Sequence, residues 1–225
     1  MTASEINESL NLPKQTVHRL CTTLEENGFI ARLGNSKKYQ VARRLRELGS
    51  GLIHSSRDHI ARHQILNDLA AKVGETVNYV APEDGGMRYL DRVETDWAFR
   101  IQLPIGTNVP FHCTASGKCY LASLDADQRS RMLNAIQFEP RTANTHMNAK
   151  SLTRELDQIA EQGYSLDKEE LFDGMVALAV PVLDTNGRFF AAVAFHGPTQ
   201  RLSEKTLVSH LKTMQDGARQ LADLM

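Results

Sequence analysis

Apolar residues spaced three and four apart open the chain: Ile6 and Leu10, then Val17, Leu20, Cys21 and Leu24. The second set falls on one helical stripe and is expected to face a core. Pro13 has the fixed φ and missing N–H that suit a first helical turn, and Gly28 is placed to end that helix just past its C-cap. Upstream, Thr2-Ala3-Ser4-Glu5 has the form of a capping box, so a short helix should run from there to a turn at Asn11-Leu12. Downstream, residues 29–32 and 38–41 bracket LGNSK, a Gly-Asn turn between two short strands. Helix, turn, helix and hairpin in this order describe a winged helix-turn-helix. Opposite the apolar stripe lie Gln15, Thr16, His18, Arg19 and Thr22, which can exchange hydrogen bonds with base edges or phosphates. Lys14 adds charge to that helix, and Arg32, Lys37 and Lys38 add it to the hairpin.

Residues 41–73 read as a helix, an interruption at Gly49-Ser50-Gly51, and a longer amphipathic helix through Ile60, Ile65, Leu66, Leu69 and Val73. Glycines so close together permit a kink, and a hinge there would let one domain's state reach the other; an ordinary helix terminus is the alternative. Beyond it, residues 77–81 and 87–93 flank the turn PEDGG, and 98–103 continue as a third strand. Residues 176–183 and 188–196 flank DTNG, whose Asn186-Gly187 is a strong hairpin signal. Helices are expected at 115–123, at 126–136 with Asp125 and Gln128 as cap partners, at 152–162, and from Ser203 to the end. Antiparallel strands with helices segregated around them make an α+β domain. The expected division is a winged helix-turn-helix over 1–44, a linker helix over 45–57 and the α+β body over 58–225.

Charge changes this picture only through its distribution. The chain holds 26 Lys and Arg against 27 Asp and Glu, a net charge of −1 that is no global footprint for nucleic acid. Residues 1–50 carry eight basic and five acidic side chains, a balance of +3, so the remainder carries −4. A length of 225 residues with 41% hydrophobic content supports a real core and two domains. Apolar runs are too short for a membrane span, and no signal-peptide core opens the chain, so a cytoplasmic protein is expected. Cys21, Cys113 and Cys119 lack metal-ligand spacing and read as buried reduced thiols.

Enzymatic readings find little support. ASGK at 115–118 has the ending of a phosphate-binding loop, but His112 stands where that loop needs glycine. His112 and Cys113 near Cys119 suggest a thiol or metal site, yet adjacent residues of a strand point to opposite faces and no paired ligand spacing recurs. Neither a catalytic residue, a metal nor a cofactor is expected.

From Thr2 to nearly its end the chain resembles the IclR family of bacterial transcription regulators. The resemblance rests on LPKQTVHRLCTTLEENGFI, GTNVPFHCTASGKCYLASL, EQGYSLDKEE and VALAVPVLDTNGRFFAAVAFHGP, in that order. It implies a winged helix-turn-helix joined to a GAF-like effector-binding domain. It also implies a homodimer or tetramer that binds operator DNA and responds to a small molecule, often an organic or aromatic acid. Matched position by position, it implies effector contacts at Ala115, Ser116, Asp167, Met175, Ala177, Ala194 and His196. The residues themselves add that a helix opening after Thr114 leaves the N–H groups of Ala115, Ser116 and Gly117 without intrahelical partners, a natural dock for a carboxylate. Asp167 can equally cap the acidic stretch 167–170.

Three departures from the family pattern bear on the ligand. Family members commonly carry cysteine at the position of Ala177 and serines at those of Ala194 and His196, so a different effector is expected. His196 should face the same cavity as Ala194, and an imidazole titrating near pH 6.5 would make affinity for an acid rise as pH falls. The family also has a helix ahead of the one that Thr2 caps. Without it the recognition helix has less apolar surface to pack against, and the alternative expectation is a GAF-like small-molecule-binding module with impaired DNA binding.

Overall fold

The computed structural model describes residues 1–34, 36–55, 57–98 and 103–225, and these divide into two units, Met1–His59 and Ile60–Met225. In the first, the capping box forms as expected. Thr2 Oγ1 accepts the Glu5 N–H, the Glu5 carboxylate accepts the Thr2 N–H at 2.7 Å, and α1 (Ala3–Leu10) follows. Asn11 closes α1 in the left-handed region, and the Asn7 side chain spans the turn with two 2.9 Å bonds to the Leu12 backbone. Pro13 is the N-cap of α2 (Lys14–Glu26). Gly28, at φ +73°, ends α2: its N–H reaches Glu25 O while that of Phe29 reaches Leu24 O, the paired bonds of a Schellman motif.

The hairpin of β1 (Ile30–Arg32) and β2 (Tyr39–Val41) is antiparallel, with Ala31 opposite Gln40. Asn35 of its turn lies outside the described residues, and an isolated bridge between Thr2 and Lys38 adds a third segment beside β2. Val17 and Cys21 pack with Ala3 against Ile6, Ile30 and Tyr39. The expectation that all four residues of the α2 stripe are covered needs correction: Leu20 and Leu24 are 43% and 42% exposed, because they lie on the flank of the stripe turned away from α1 and β1. A second correction concerns α3 (Arg43–Ser55), which is helical through Gly49, Ser50 and Gly51. Each glycine costs a helix about 1 kcal/mol relative to alanine, too little to break this one, so neither the expected interruption nor a helix terminus forms there.

In the second unit the chain runs through α4 (Arg57–Val73), β3 (Thr76–Glu83), β4 (Gly86–Val93) and β5 (Asn108–Val109). Helices α5 (Ala115–Ser123), α6 (Ala126–Ala135) and α7 (Ala149–Gln162) follow, then β6 (Ser165–Lys168), β7 (Met175–Leu183) and β8 (Phe189–Pro198), and lastly α8 (Glu204–Ser209) and α9 (Leu211–Ala222). The six strands form one antiparallel sheet in the order β5-β4-β3-β8-β7-β6. One face packs Val77, Tyr79, Leu178, Val193 and Phe195 against Leu66, Leu69, Met214 and Leu221 of α4 and α9. The other packs Val80, Met87 and Tyr89 against Leu121, Leu133, Leu152 and Leu156 of α5, α6 and α7. The alternation of side chains along each strand divides the two cores.

Of the strand expected at 98–103, residues 99–102 lie outside the described residues, and Ala98 and Leu103 at its ends are not in a strand. The edge partner of β4 is the two-residue β5 instead. The final helix is divided at His210 into α8 and α9. Asp125 caps α6 by accepting the Gln128 N–H, as expected. Among the described residues no helix is long and apolar enough to cross a membrane.

Candidate functional site

On the first unit, Lys14, Gln15, His18, Arg19 and Thr22 are exposed along α2, and Thr16 is half-buried. Lys37 and Lys38 are exposed on the hairpin. Arg32 is partly committed elsewhere: its Nε lies 3.4 Å from the Glu25 carboxylate and its guanidinium 5.3 Å from the Tyr39 ring centre. It braces the hairpin against α2 as much as it adds positive surface.

On the second unit, strand register builds the floor of a cavity. Ala177 of β7 stands opposite Asp167 of β6 on one side and His196 of β8 on the other. Ala194 stands opposite Ala179 and Asn78. Paired residues share a face, so Asp167, Ala177, Ala194, His196 and Asn78 all look the same way. Helix α5 packs over this face on β7 and β8, and a small cavity of about 50 Å³ opens beside its first turn. All seven residues expected to contact an effector line that space: Ala115, Ser116, Asp167, Met175, Ala177, Ala194 and His196. Sequence reasoning missed Asn78, Tyr89, Leu171 and Phe172, which line it too. Asn78 left a trace as the one amide within the apolar strand TVNYVA; the loop residues Leu171 and Phe172 left none.

The α5 start differs in one detail from expectation. Thr114 Oγ1 accepts the Gly117 N–H at 3.1 Å, so the donors left at the opening are those of Ala115 and Ser116. The Thr114 hydroxyl donates in turn to Pro110 O at 2.7 Å.

His196 overturns the expectation of titration near pH 6.5. Burial, with the nearby Arg92 charge, pushes its pKa down to about 3, so the imidazole is neutral across the physiological range. The Asn78 amide donates to its Nδ1 at 3.0 Å, while Nε2 is buried and has no partner among the described residues.

Asp167 shifts the other way. Its carboxylate accepts the Glu170 N–H at 2.7 Å, so it caps the acidic stretch and lines the cavity at once. Burial first, and then the Glu170 charge, push its pKa up to about 7 against the pull of backbone N–H groups and Lys118. The folded form therefore binds a proton that the unfolded chain releases near pH 4, and stability falls as pH rises from about 4 to about 7 before levelling off. Asp167→Asn is expected to flatten that slope and to raise the melting temperature at pH 8 by several degrees. Melts across this pH range that show wild type and variant running parallel would refute the assignment.

Behind α5, the fully buried Lys118 ammonium lies between Glu170 and Glu155, the latter at 2.6 Å. The other Glu155 oxygen is 2.5 Å from His146 Nε2. His146, Glu155 and Glu170 lie close enough to hold a metal ion, but the ammonium already supplies the cation that such a donor set requires. Burial opposes the Lys118 charge, yet the two carboxylates outweigh it and hold its pKa above the ordinary value. Glu155 is held down at about 2 by its bonds to His146 and Lys118, despite burial.

The Cys113 and Cys119 thiols are inert: burial pushes both up to about 12. His112 has its pKa lowered by burial and its Nε2 engaged with Glu139 O at 3.1 Å. No nucleophile paired with a base is found among the described residues.

Two family models match the chain. The model of the C-terminal domain of the bacterial transcriptional regulator IclR matches residues 54–223, and that of the IclR helix-turn-helix domain matches residues 1–34. The probable transcriptional regulator SauR of Cupriavidus necator is 34% identical over 98% of this chain and 88% of its own length. The regulator KdgR of Escherichia coli is 30% identical over 99% of this chain and 84% of its own. Among solved structures, the Thermotoga maritima IclR superposes with a TM-score of 0.72 at 29% identity, covering 99% of this chain and 90% of that one. A helix-turn-helix head with a basic, polar outer face and a cavity-bearing α+β body meet in one assignment: the chain belongs to the IclR family of bacterial transcriptional regulators, DNA-binding proteins that are not enzymes.

Proposed function

We propose that this regulator is cytoplasmic, works as a homodimer or tetramer, and couples operator binding by residues 1–44 to recognition of a small organic or aromatic acid by residues 58–225, with 45–57 as the linker. The observation that carries the sensing half is the convergence of seven residues from four separate elements on one cavity, two of them offering helix-start N–H groups to a carboxylate. No cationic side chain lines the cavity among the described residues, so the helix start and partial protonation of Asp167 are what make room for an anion there.

On the DNA side, Lys14, Gln15, Thr16, His18 and Arg19 of α2 would enter a major groove, with Arg32, Lys37 and Lys38 beside phosphates. Binding should weaken steeply with salt as counterions displaced from phosphate return. Arg19→Ala is expected to cost about ten- to a hundredfold in affinity. A duplex enriched on the protein from a random-sequence library, titrated by band shift at several salt concentrations, tests both statements. A second reading, a ligand-binding module with impaired DNA binding, draws on the exposure of Leu20 and Leu24 beside the reading face. Failure to enrich any duplex, even at low salt, would favour it.

A further inference from the structure

One part of the cavity carries more hydrogen-bonding capacity than the chain uses. Asn78 is 2% exposed, yet its Oδ1 has no partner among the described residues, and the same holds for the buried Nε2 of His196. Both side chains line the cavity. Because the Asn78 amide N–H donates to Nδ1, the neutral imidazole carries its proton on Nε2. An acceptor, Asn78 Oδ1, and a donor, His196 Nε2–H, are therefore both left open. Exchanging the amide nitrogen and oxygen does not alter this result. Nδ1–H would then donate to Oδ1, leaving an amide N–H as donor and Nε2 as acceptor. Under either assignment the pair offers one donor and one acceptor.

A hydroxyl group can answer both, since it donates and accepts. A methylene answers neither, and a carboxylate or ketone only accepts, leaving the Asn78–His196 acceptor buried and unmet. The floor beside the pair is alanine: Ala194 stands opposite Asn78, and Ala177 stands opposite His196. Asp167 lies two strands from His196 in the same row, about 10 Å away at ordinary strand spacing, and so does not serve this pair. The Ala115 and Ser116 N–H groups form a second polar end of the cavity.

We infer that the ligand of this cavity is a hydroxylated carboxylic acid, its hydroxyl held by Asn78 and His196 and its carboxylate by the start of α5. The inference rests on the acid-sensing reading and names the ligand class within it.

Matched acids test it on the full chain by calorimetry and thermal shift: propionate with lactate, succinate with malate, and hexanoate with gluconate. In at least one pair the hydroxylated acid is expected to bind tenfold or more tightly than its partner, the difference made by one well-placed hydrogen-bonding group. Asn78→Leu and, separately, His196→Leu are expected to bring the two acids within about twofold of each other, whatever the change in affinity common to both. The second variant, at a less enclosed position, preserves the test if the first fails to fold by circular dichroism. Plain acids binding as tightly as their hydroxylated partners in every pair, or a preference that survives in both variants, would overturn the inference and leave acid sensing intact. No response to any acid of either kind would remove the acid-sensing reading itself, and the inference with it.

Discussion

Replacing Lys118 with methionine is expected to destabilise the second unit by about 3–5 kcal/mol, the ordinary loss when one partner of a buried ion pair is removed. Methionine nearly matches lysine in length, so packing around α5 changes little. What changes is charge: Glu170 and Glu155 would face each other across the emptied ammonium position, with only His146 to offset them. The loss should shrink as pH falls, because protonating either carboxylate removes the repulsion. Lys118→Met combined with Glu170→Gln should regain part of it. Urea denaturation at pH 7 and pH 5 measures these differences. A loss under about 1 kcal/mol at neutral pH would mean that the cluster is solvated and that the cation contributes little.

Gly117→Ala is expected to be nearly as severe, at about 2–4 kcal/mol, although alanine normally favours a helix over glycine by about 1 kcal/mol. A Cβ at position 117 would stand 2.4 Å from Phe111 O and 2.5 Å from Phe111 Cα, and backbone cannot swing aside as a flexible side chain would. Relief requires the first turn of α5 to move, carrying the Ala115 and Ser116 N–H groups with it. Any acid-induced melting shift should therefore fall together with stability. The reversed sign makes the test sharp: a variant as stable as wild type would show that α5 has room to shift at this point.

Much of the local architecture was legible because its causes are local. The Thr2–Glu5 capping box, Pro13 ahead of α2, Gly28 after it, the Asp125 cap and the Asn186-Gly187 turn each lie within a few residues of the element they define. Where neighbours elsewhere in the chain decide, the sequence was silent or misleading. Two-residue β5 exists only because β4 offers an edge, and nothing in Asn108-Val109 announces it. Gly49 and Gly51 suggested a break that the surrounding helix absorbs. Leu20 and Leu24 share a stripe with Val17 and Cys21, but only contact with α1 and β1 separates covered from exposed. The seven cavity residues were named through family resemblance, since no local pattern joins Ala115 to His196 across 81 positions. His196 is the plainest case: its type suggested a titrating imidazole, and only burial and the Arg92 charge make it a neutral one.

The alanines under the cavity have a bearing on how such a regulator changes its ligand. Ala177 and Ala194 are held by sheet backbone, and neither has a side chain that can rotate to admit a larger guest. The outline of the site at these positions is thus set by which residue is encoded, not by how it moves. Every alanine codon is one nucleotide change from serine, threonine and valine, so each position can gain a hydroxyl, a methyl group or both without disturbing the strand. Ligand preference can drift here by single mutations while the fold that carries it stays fixed.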